Sequence, residues 1–271
     1  MSEVTISLLH ATHRAGASAL ARRDRWLALA ARPELVEYHF AFDDDDDVSV
    51  AAIGGEALPN LGGRVTAVRN WNWAARRSTG DLMMVVADDL QPAEQGWDNQ
   101  LRRVCGALDA TKVPFAVKVR DGEKAAEHLM RHPVVSRAYY AAYGLFDDGY
   151  FGIGADNDFT LSAHCYGLVL DGRGLVLDHE HPTHGAPPTA SHSRMSAPAE
   201  RDDGKARFER RWPLRRRRIW YRYFKPRRGQ RRVSRIRLLA RSGMTRLGWA
   251  RAFVPNFVRH RVRSLVGKGL G

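Results

Sequence analysis

Residues 64–92, RVTAVRNWNWAARRSTGDLMMVVADDLQP, decide the fold. In their first half Val65, Val68, Trp71, Ala74 and Ala75 recur at helical spacing, with no proline and no interior glycine, which predicts a helix. Gly80 is expected to stop it, as a residue free to take positive φ. Then comes Leu82-Met83-Met84-Val85-Val86-Ala87, an apolar run without alternation, as expected of a strand covered on both faces of a parallel sheet. It delivers two carboxylates, Asp88 and Asp89, at its C-terminal end, and Pro92 prevents simple continuation. Ligands of open α/β sheets bind outside the carboxyl ends of strands, so these acids sit where chemistry is expected.

Upstream, residues 4–9 read as a buried first strand that ends in His10-Ala11-Thr12-His13-Arg14, before a helix of about residues 17–31. Backbone groups freed at such a strand end can read a base edge, and Arg14 can pair with phosphate. An ordinary strand-to-helix turn with a surface arginine fits the same residues. Residues 36–42 form a second strand, opening into five consecutive aspartates, residues 43–47. The later members of that run belong in water, because adjacent like charges repel. The alternating ligands and central glycine of a calcium-binding helical hand are missing.

Downstream, residues 97–108 predict an amphipathic helix and 114–119 a further strand. His128 and His132 lie four apart, but with no acid in register and Pro133 adjacent they read as surface histidines. The second strong segment is GYFGIGADNDF, residues 149–159, a glycine-aromatic loop leading to Asp156, Asp158 and a helix over 159–165. A carboxylate here can take the proton of an attacking hydroxyl, a poor nucleophile until deprotonated. A helix-capping role would suit either acid alone but leaves the pair after such a loop less well explained. Residues 174–178 are a strand running into His179-Glu180-His181-Pro182-Thr183-His184, whose spacing does not match a catalytic zinc helix. Residues 185–204 read as a lid or linker.

This arrangement resembles the GT-A-fold glycosyltransferases, particularly their family 2-like group. Asn70, Ala74, Ser78, Gly80, Asp81, Asp88 and Asp89 occupy positions comparable to that family's central helix, Gly-Asp step and Asp-rich strand end, with Ala87 where many members carry a first acid. The resemblance implies an α/β fold, a Rossmann-like mixed sheet flanked by helices, over residues 1–213. It implies a nucleoside diphosphate sugar donor held by Ala11, Thr12, Arg14, Asp43, Asp44, Asn70 and Asp88. It also implies a divalent cation, Mn2+ or Mg2+, on Asp89 with His181 or, next, His179, because two acids and an imidazole suit manganese better than calcium. Asp156 matches the family's general base, with Ala155 in place of the usual glutamate, and Asp158 would support the helix start. Phe208 to Pro213 resembles the short element that ends such domains. The expected reaction is sugar transfer to a hydroxyl with inversion.

Charge divides the chain. Residues 205–271 carry 23 Lys/Arg and one acid, for +22, whereas residues 1–204 carry −9. Residues 214–271 are expected to form a cationic, partly amphipathic helical tail. Arginines interleaved with Trp220, Tyr221, Tyr223 and Phe224 can clamp phosphates and stack bases, and the apolar stripe from Val254 to Val266 can lie in a membrane interface. A helix packed on the acidic domain is the third use. The acceptor is accordingly expected to be a glycan, lipid-linked glycan, protein or nucleic acid, with an anionic membrane as a further partner. A non-catalytic nucleic-acid-binding protein is the competing reading. Cys105 and Cys165 offer no disulfide framework and read as buried hydrophobes of a reducing compartment. No signal segment or bilayer-length apolar stretch is apparent, so a cytoplasmic protein, soluble or peripheral at the inner membrane face, is expected.

Overall fold

β1 (Ile6–Ala11), β2 (Val36–Ala41) and β3 (Leu82–Ala87) form a parallel trio with β1 in the middle, in register from Ile6 opposite Val36 and Leu82 to Ala11 opposite Ala41 and Ala87. The computed structural model describes residues 3–43, 45–53, 66–121, 129–166, 168–180 and 197–212. Between the trio's strands run α1 (Ala17–Ala28), α2 (Asp47–Ile53) and α3 (Ala67–Arg77). The rest of the sheet is β4 (Leu90–Pro92), β5 (Phe115–Asp121), β6 (Val134–Ser136) and β7 (Leu168–His179), with α4 (Trp97–Cys105), α5 (Arg137–Tyr143), α6 (Ala155–Tyr166) and α7 (Pro198–Arg211) around it. The seven strands are ordered β2-β1-β3-β6-β5-β7-β4, with β6 and β4 antiparallel to their neighbours. The architecture is α/β with a mixed sheet, as the sequence implies.

The uninterrupted apolar run of β3 is buried on both faces, as expected. Leu82, Met84 and Val86 join Ile6 and Leu8 against Trp26 of α1 and Trp97 and Leu101 of α4. Met83 and Val85 turn the other way, with Leu9, onto Ala74 and Ala75 of α3, Tyr139 of α5 and Phe159 of α6. Trp26 and Trp97 meet edge to face at 4.9 Å, and their indole N–H groups donate to the Leu90 and Trp26 carbonyls. Truncating either to alanine would cost about 3–5 kcal/mol. Both cysteines are free and buried, and burial pushes the Cys105 thiol up to about 12.

Some local expectations are corrected. Gly80 is not a positive-φ stop: α3 ends at Ser78 in extended backbone, and Gly80 is outside the left-handed region. Its small size is what matters, because a Cβ there would lie 2.8 Å from the Ser7 backbone nitrogen. Pro92, by contrast, ends β4 as expected of a residue that prevents simple continuation, at the sheet edge where its missing N–H is tolerated. α6 begins at Ala155 rather than 159, so Asp156 and Asp158 both lie in its first turn. The predicted tail, residues 214–271, and residues 185–196 of the predicted lid or linker lie outside the described residues, while residues 198–204 of that stretch belong to α7.

Candidate active site

The carboxyl ends of β1 and β3 meet where the strand order reverses, the position at which open α/β sheets take ligands. Asp88 lies there, bound to the β1 side. His10 Nε2 is 2.9 Å from Asp88 Oδ1, and the His13 backbone N–H donates to Asp88 Oδ2 at 3.1 Å. A carboxylate only accepts, so Nε2 carries the proton and Nδ1 faces the Tyr38 hydroxyl at 2.7 Å. Burial raises the Tyr38 phenol well above its ordinary pKa, so it stays a donor. Asp88 is thereby tied to the loop expected to read the donor.

That loop is itself constrained. Ala11 and Thr12 are buried, the Thr12 N–H donating to the Ala41 carbonyl. Arg14 takes φ 55°, a region that non-glycine residues enter at a cost of about 1–3 kcal/mol, and its N–H donates to Asp46 at 2.6 Å. Asp46 also accepts from the Ser49 N–H and hydroxyl at the start of α2. The expectation that aspartates late in the run belong in water therefore holds for exposed Asp45 and Asp47 but fails for Asp46, which is fully buried because three donors satisfy its charge. Asp43 is buried too, and the Asn70 amide of α3 donates to it at 2.8 Å, joining two of the expected donor contacts. Asp44 lies outside the described residues.

On the other side of β3 the environment changes. β4 and β7 pair so that Leu90 faces His179, and the Glu180 N–H donates to the Asp89 carbonyl at 2.8 Å. This register sets His179 Nε2 3.2 Å from Asp89 Oδ2. A third residue joins them from the entry to β6, where the Val85 N–H donates to the Pro133 carbonyl: ligand-type atoms of Asp89, His132 and His179 all lie within 4.8 Å of one another. The reading of His132 as a surface histidine is wrong. It is only 6% exposed, Pro133 feeding it into the sheet rather than out to water. Its Nδ1 is 3.3 Å from Asp121 Oδ2 at the end of β5. Burial lowers the His132 pKa, favouring the neutral imidazole. Burial opposes the charge of Asp121, but His132, Lys118 and Arg131 outweigh it and hold the carboxyl below the usual range. One carboxylate and two imidazoles form a donor set that fits a divalent transition ion. His181 and His128 lie outside the described residues. No local pattern could have flagged His132, since its partners lie 43 residues before and 47 after it.

The acceptor-side pair divides as well. Asp156 is half-buried in the first turn of α6, its Oδ1 accepting from the Asn157 N–H at 2.8 Å. Asp158 is buried and accepts from Trp212 Nε1 at 2.6 Å, with Arg211 3.3 Å away, and burial raises its pKa. The preceding loop seats α7 backbone to backbone: a Cβ on Gly204 would lie 2.0 Å from the Ile153 carbonyl oxygen. Phe208 and Trp212 are buried beside Tyr150 and Leu161.

No protein-family model and no curated protein sequence matches the chain. Solved structures do. The mannosyltransferase PcManGT from Pyrobaculum calidifontis, in complex with GDP-Man and Mn2+, aligns at TM-score 0.53 and 13% identity over 76% of this chain and 74% of its own. TarS from S. aureus aligns at TM-score 0.55 and 11% identity over 80% of this chain but only 43% of its own, so the chain spans less than half of that protein. TarS residues 1–349 in complex with UDP-GlcNAc align at TM-score 0.53 and 10% identity, over 80% of this chain and 72% of theirs. The chain has the fold of a GT-A-like nucleotide-sugar glycosyltransferase.

Proposed function

We propose that the chain is a metal-dependent glycosyltransferase that moves a sugar from a nucleoside diphosphate sugar to an acceptor hydroxyl with inversion. The observation that carries this reading is the meeting of Asp88 and Asp89 at one strand exit, the first tied to the β1 loop and the second beside His179, in a chain of this fold. Ala11, Thr12, Arg14, Asp43 and Asn70 hold the nucleoside end, with Asp44 contributing from the same run, and Asp88 orders the loop and meets the ribose. Asp89 and His179 hold the cation, Mn2+ or Mg2+, with His181 next in line. Bound there, such a cation supplies positive charge against the departing diphosphate. Asp156 accepts the proton of the acceptor hydroxyl, attacking from the face opposite the leaving group, so a single displacement inverts the anomeric centre. The donors in the neighbouring structures, GDP-Man and UDP-GlcNAc, are of the class required.

Acceptors of this chemistry are a glycan, lipid-linked glycan, protein or nucleic acid. The basic residues of 205–271 hold the enzyme at an anionic membrane or a polyanionic acceptor. Among the described residues no helix is long and apolar enough to cross a membrane, which leaves a peripheral attachment through the tail open to test.

A panel of nucleotide sugars with Mn2+ or Mg2+, read as released diphosphate, tests the reading. Turnover of one donor, lost in Asp89→Ala and in Asp156→Ala, is expected. No turnover of any donor, together with tight nucleic-acid binding, would establish the non-catalytic binder instead. Liposome pelleting and DNA-binding assays on the full chain and on residues 1–213 identify the tail's partner; salt dependence alone does not, both surfaces being anionic.

A further inference from the structure

We propose that His132 is a third protein ligand of the cation site, oriented by Asp121, and that this nitrogen-rich set takes a first-row transition ion in preference to magnesium. The inference rests on the glycosyltransferase reading for the site's purpose, but not for its chemistry. The ligand-type atoms of Asp89, His132 and His179 converge within 4.8 Å from three separate parts of the chain. The two imidazoles stand edge to face, centroids 4.9 Å apart at 86°, in a region where His132 and Asp121 are nearly inaccessible to water.

The partner of His132 fixes which nitrogen is available. Asp121 only accepts, so the proton sits on Nδ1 and the lone pair on Nε2, at the opposite side of the ring. This is the carboxylate–histidine pairing that holds a ligating ring in one tautomer and orientation. Asp121 is secured in turn, its Oδ1 being 3.2 Å from Lys118 Nζ and 3.6 Å from Arg131 Nη1. A histidine needed only for packing would not require so many buried charges to set its tautomer. Magnesium demands oxygen ligands and keeps its waters, whereas imidazole suits manganese, cobalt, zinc and their neighbours. Two imidazoles to one carboxylate therefore bias the site away from magnesium.

Chelator-stripped full-length chain, titrated with Co2+ in the absence of nucleotide, provides the test through the visible absorption of bound cobalt. Saturable uptake that equimolar Mg2+ does not reverse is expected. His132→Asn keeps an amide donor for Asp121 but loses the Nε2 ligand, and its affinity should fall at least about 10-fold. Asp121→Asn should fall about 10–100-fold, as supporting carboxylates do elsewhere. His39→Ala, away from the cluster, should bind as the parent does. With Mn2+, spin-echo spectra should show two coupled imidazole nitrogens in the parent and one in His132→Asn. His132→Ala serves alongside, melting curves confirming that each variant folds. Unchanged cobalt affinity in a folded His132→Asn overturns the proposal, as does a parent chain that takes up no cobalt or releases it to equimolar Mg2+. Each of these leaves sugar transfer intact as a reading, while cobalt binding without turnover of any donor sinks the enzyme and spares the site.

Discussion

Asp88 and Asp89 are adjacent in the chain yet serve opposite sides of β3. Asp88 faces β1, where His10 and the His13 N–H hold its two oxygens. Asp89 faces β7 and the entry to β6, beside His179 and His132. Asp158 and Asp156 repeat the division at the start of α6, one buried against Trp212 and the other half-exposed. In each pair one carboxylate is held by donors from neighbouring elements, and the other is the one to which the proposed function gives the chemistry. A strand end and a helix start achieve this in different ways. At the strand end the backbone passes between two neighbours, so consecutive residues meet different partners. In the first turn of the helix, residues two apart point in different directions around the axis.

The sharpest break of that comparison is Asp89→Asn against Asp88→Asn. Loss of Asp89 should reduce turnover roughly 10^3-fold, the rate equivalent of about 4 kcal/mol of charge stabilisation. Loss of Asp88 weakens charge-assisted hydrogen bonds worth about 1.5–3 kcal/mol each, so the KM for the donor should rise roughly 10–100-fold while kcat changes little. Steady-state kinetics on both variants separates these outcomes. A collapse of kcat in Asp88→Asn equal to that in Asp89→Asn would mean that Asp88 holds the cation itself, and the division between the two acids would be gone.

Asp98 calibrates what a purely structural carboxylate is worth. It is fully buried on the face of the sheet away from α3, accepting from the Ala31 and Arg32 N–H groups and from Arg102. Burial pushes its pKa up, but these donors outweigh it and hold the folded value below 3.8. The sign follows: the stabilisation is present above the unfolded pKa near 3.8 and is lost as pH falls through it toward the folded value. Asp98→Asn should cost about 1–3 kcal/mol at pH 7 and flatten the acid limb of a urea-melt series below pH 4, with donor KM unchanged. If Asp88→Asn shows the same stability loss without its KM effect, Asp88 is structural only.

What could be read in advance follows the range of the interactions. The β3 run, its two acids and the α3 periodicity are local patterns that the structure keeps, and the Asp-x-Asp segment is equally local, although α6 takes both acids into its first turn instead of starting after them. His179 was within reach because it ends a strand, and the β4–β7 register then brings it to Asp89. His132 was not, because its burial depends on an antiparallel insertion of β6 between β3 and β5 that no run of three residues announces. The role of Asp46 was hidden for a related reason. A string of like charges looks solvated until a second loop supplies the donors, here the Arg14 N–H. Gly80 shows the converse: the residue stood out, but its cause was the close approach of Ser7 from another strand rather than its own torsion.

The smallest expected effect concerns Asp158, the tied member of the second pair. Burial raises its pKa, so the folded chain prefers the protonated side chain more than the unfolded chain does. The associated stabilisation is complete below the unfolded value near 3.8 and disappears as pH rises through the folded pKa. Once ionised, the carboxylate is therefore a liability of the fold, offset in part by the partly exposed Arg211. Asparagine keeps an oxygen for Trp212 Nε1 and removes the buried charge. Asp158→Asn should accordingly change stability at pH 7 by less than about 1 kcal/mol, in either direction, and turnover by less than threefold. Asp156→Asn, two residues earlier, should abolish turnover at equal stability. A loss above about 3 kcal/mol in Asp158→Asn would show that α7 is held by the ion pair to Arg211 rather than by the indole hydrogen bond and the packing of Phe208 and Trp212.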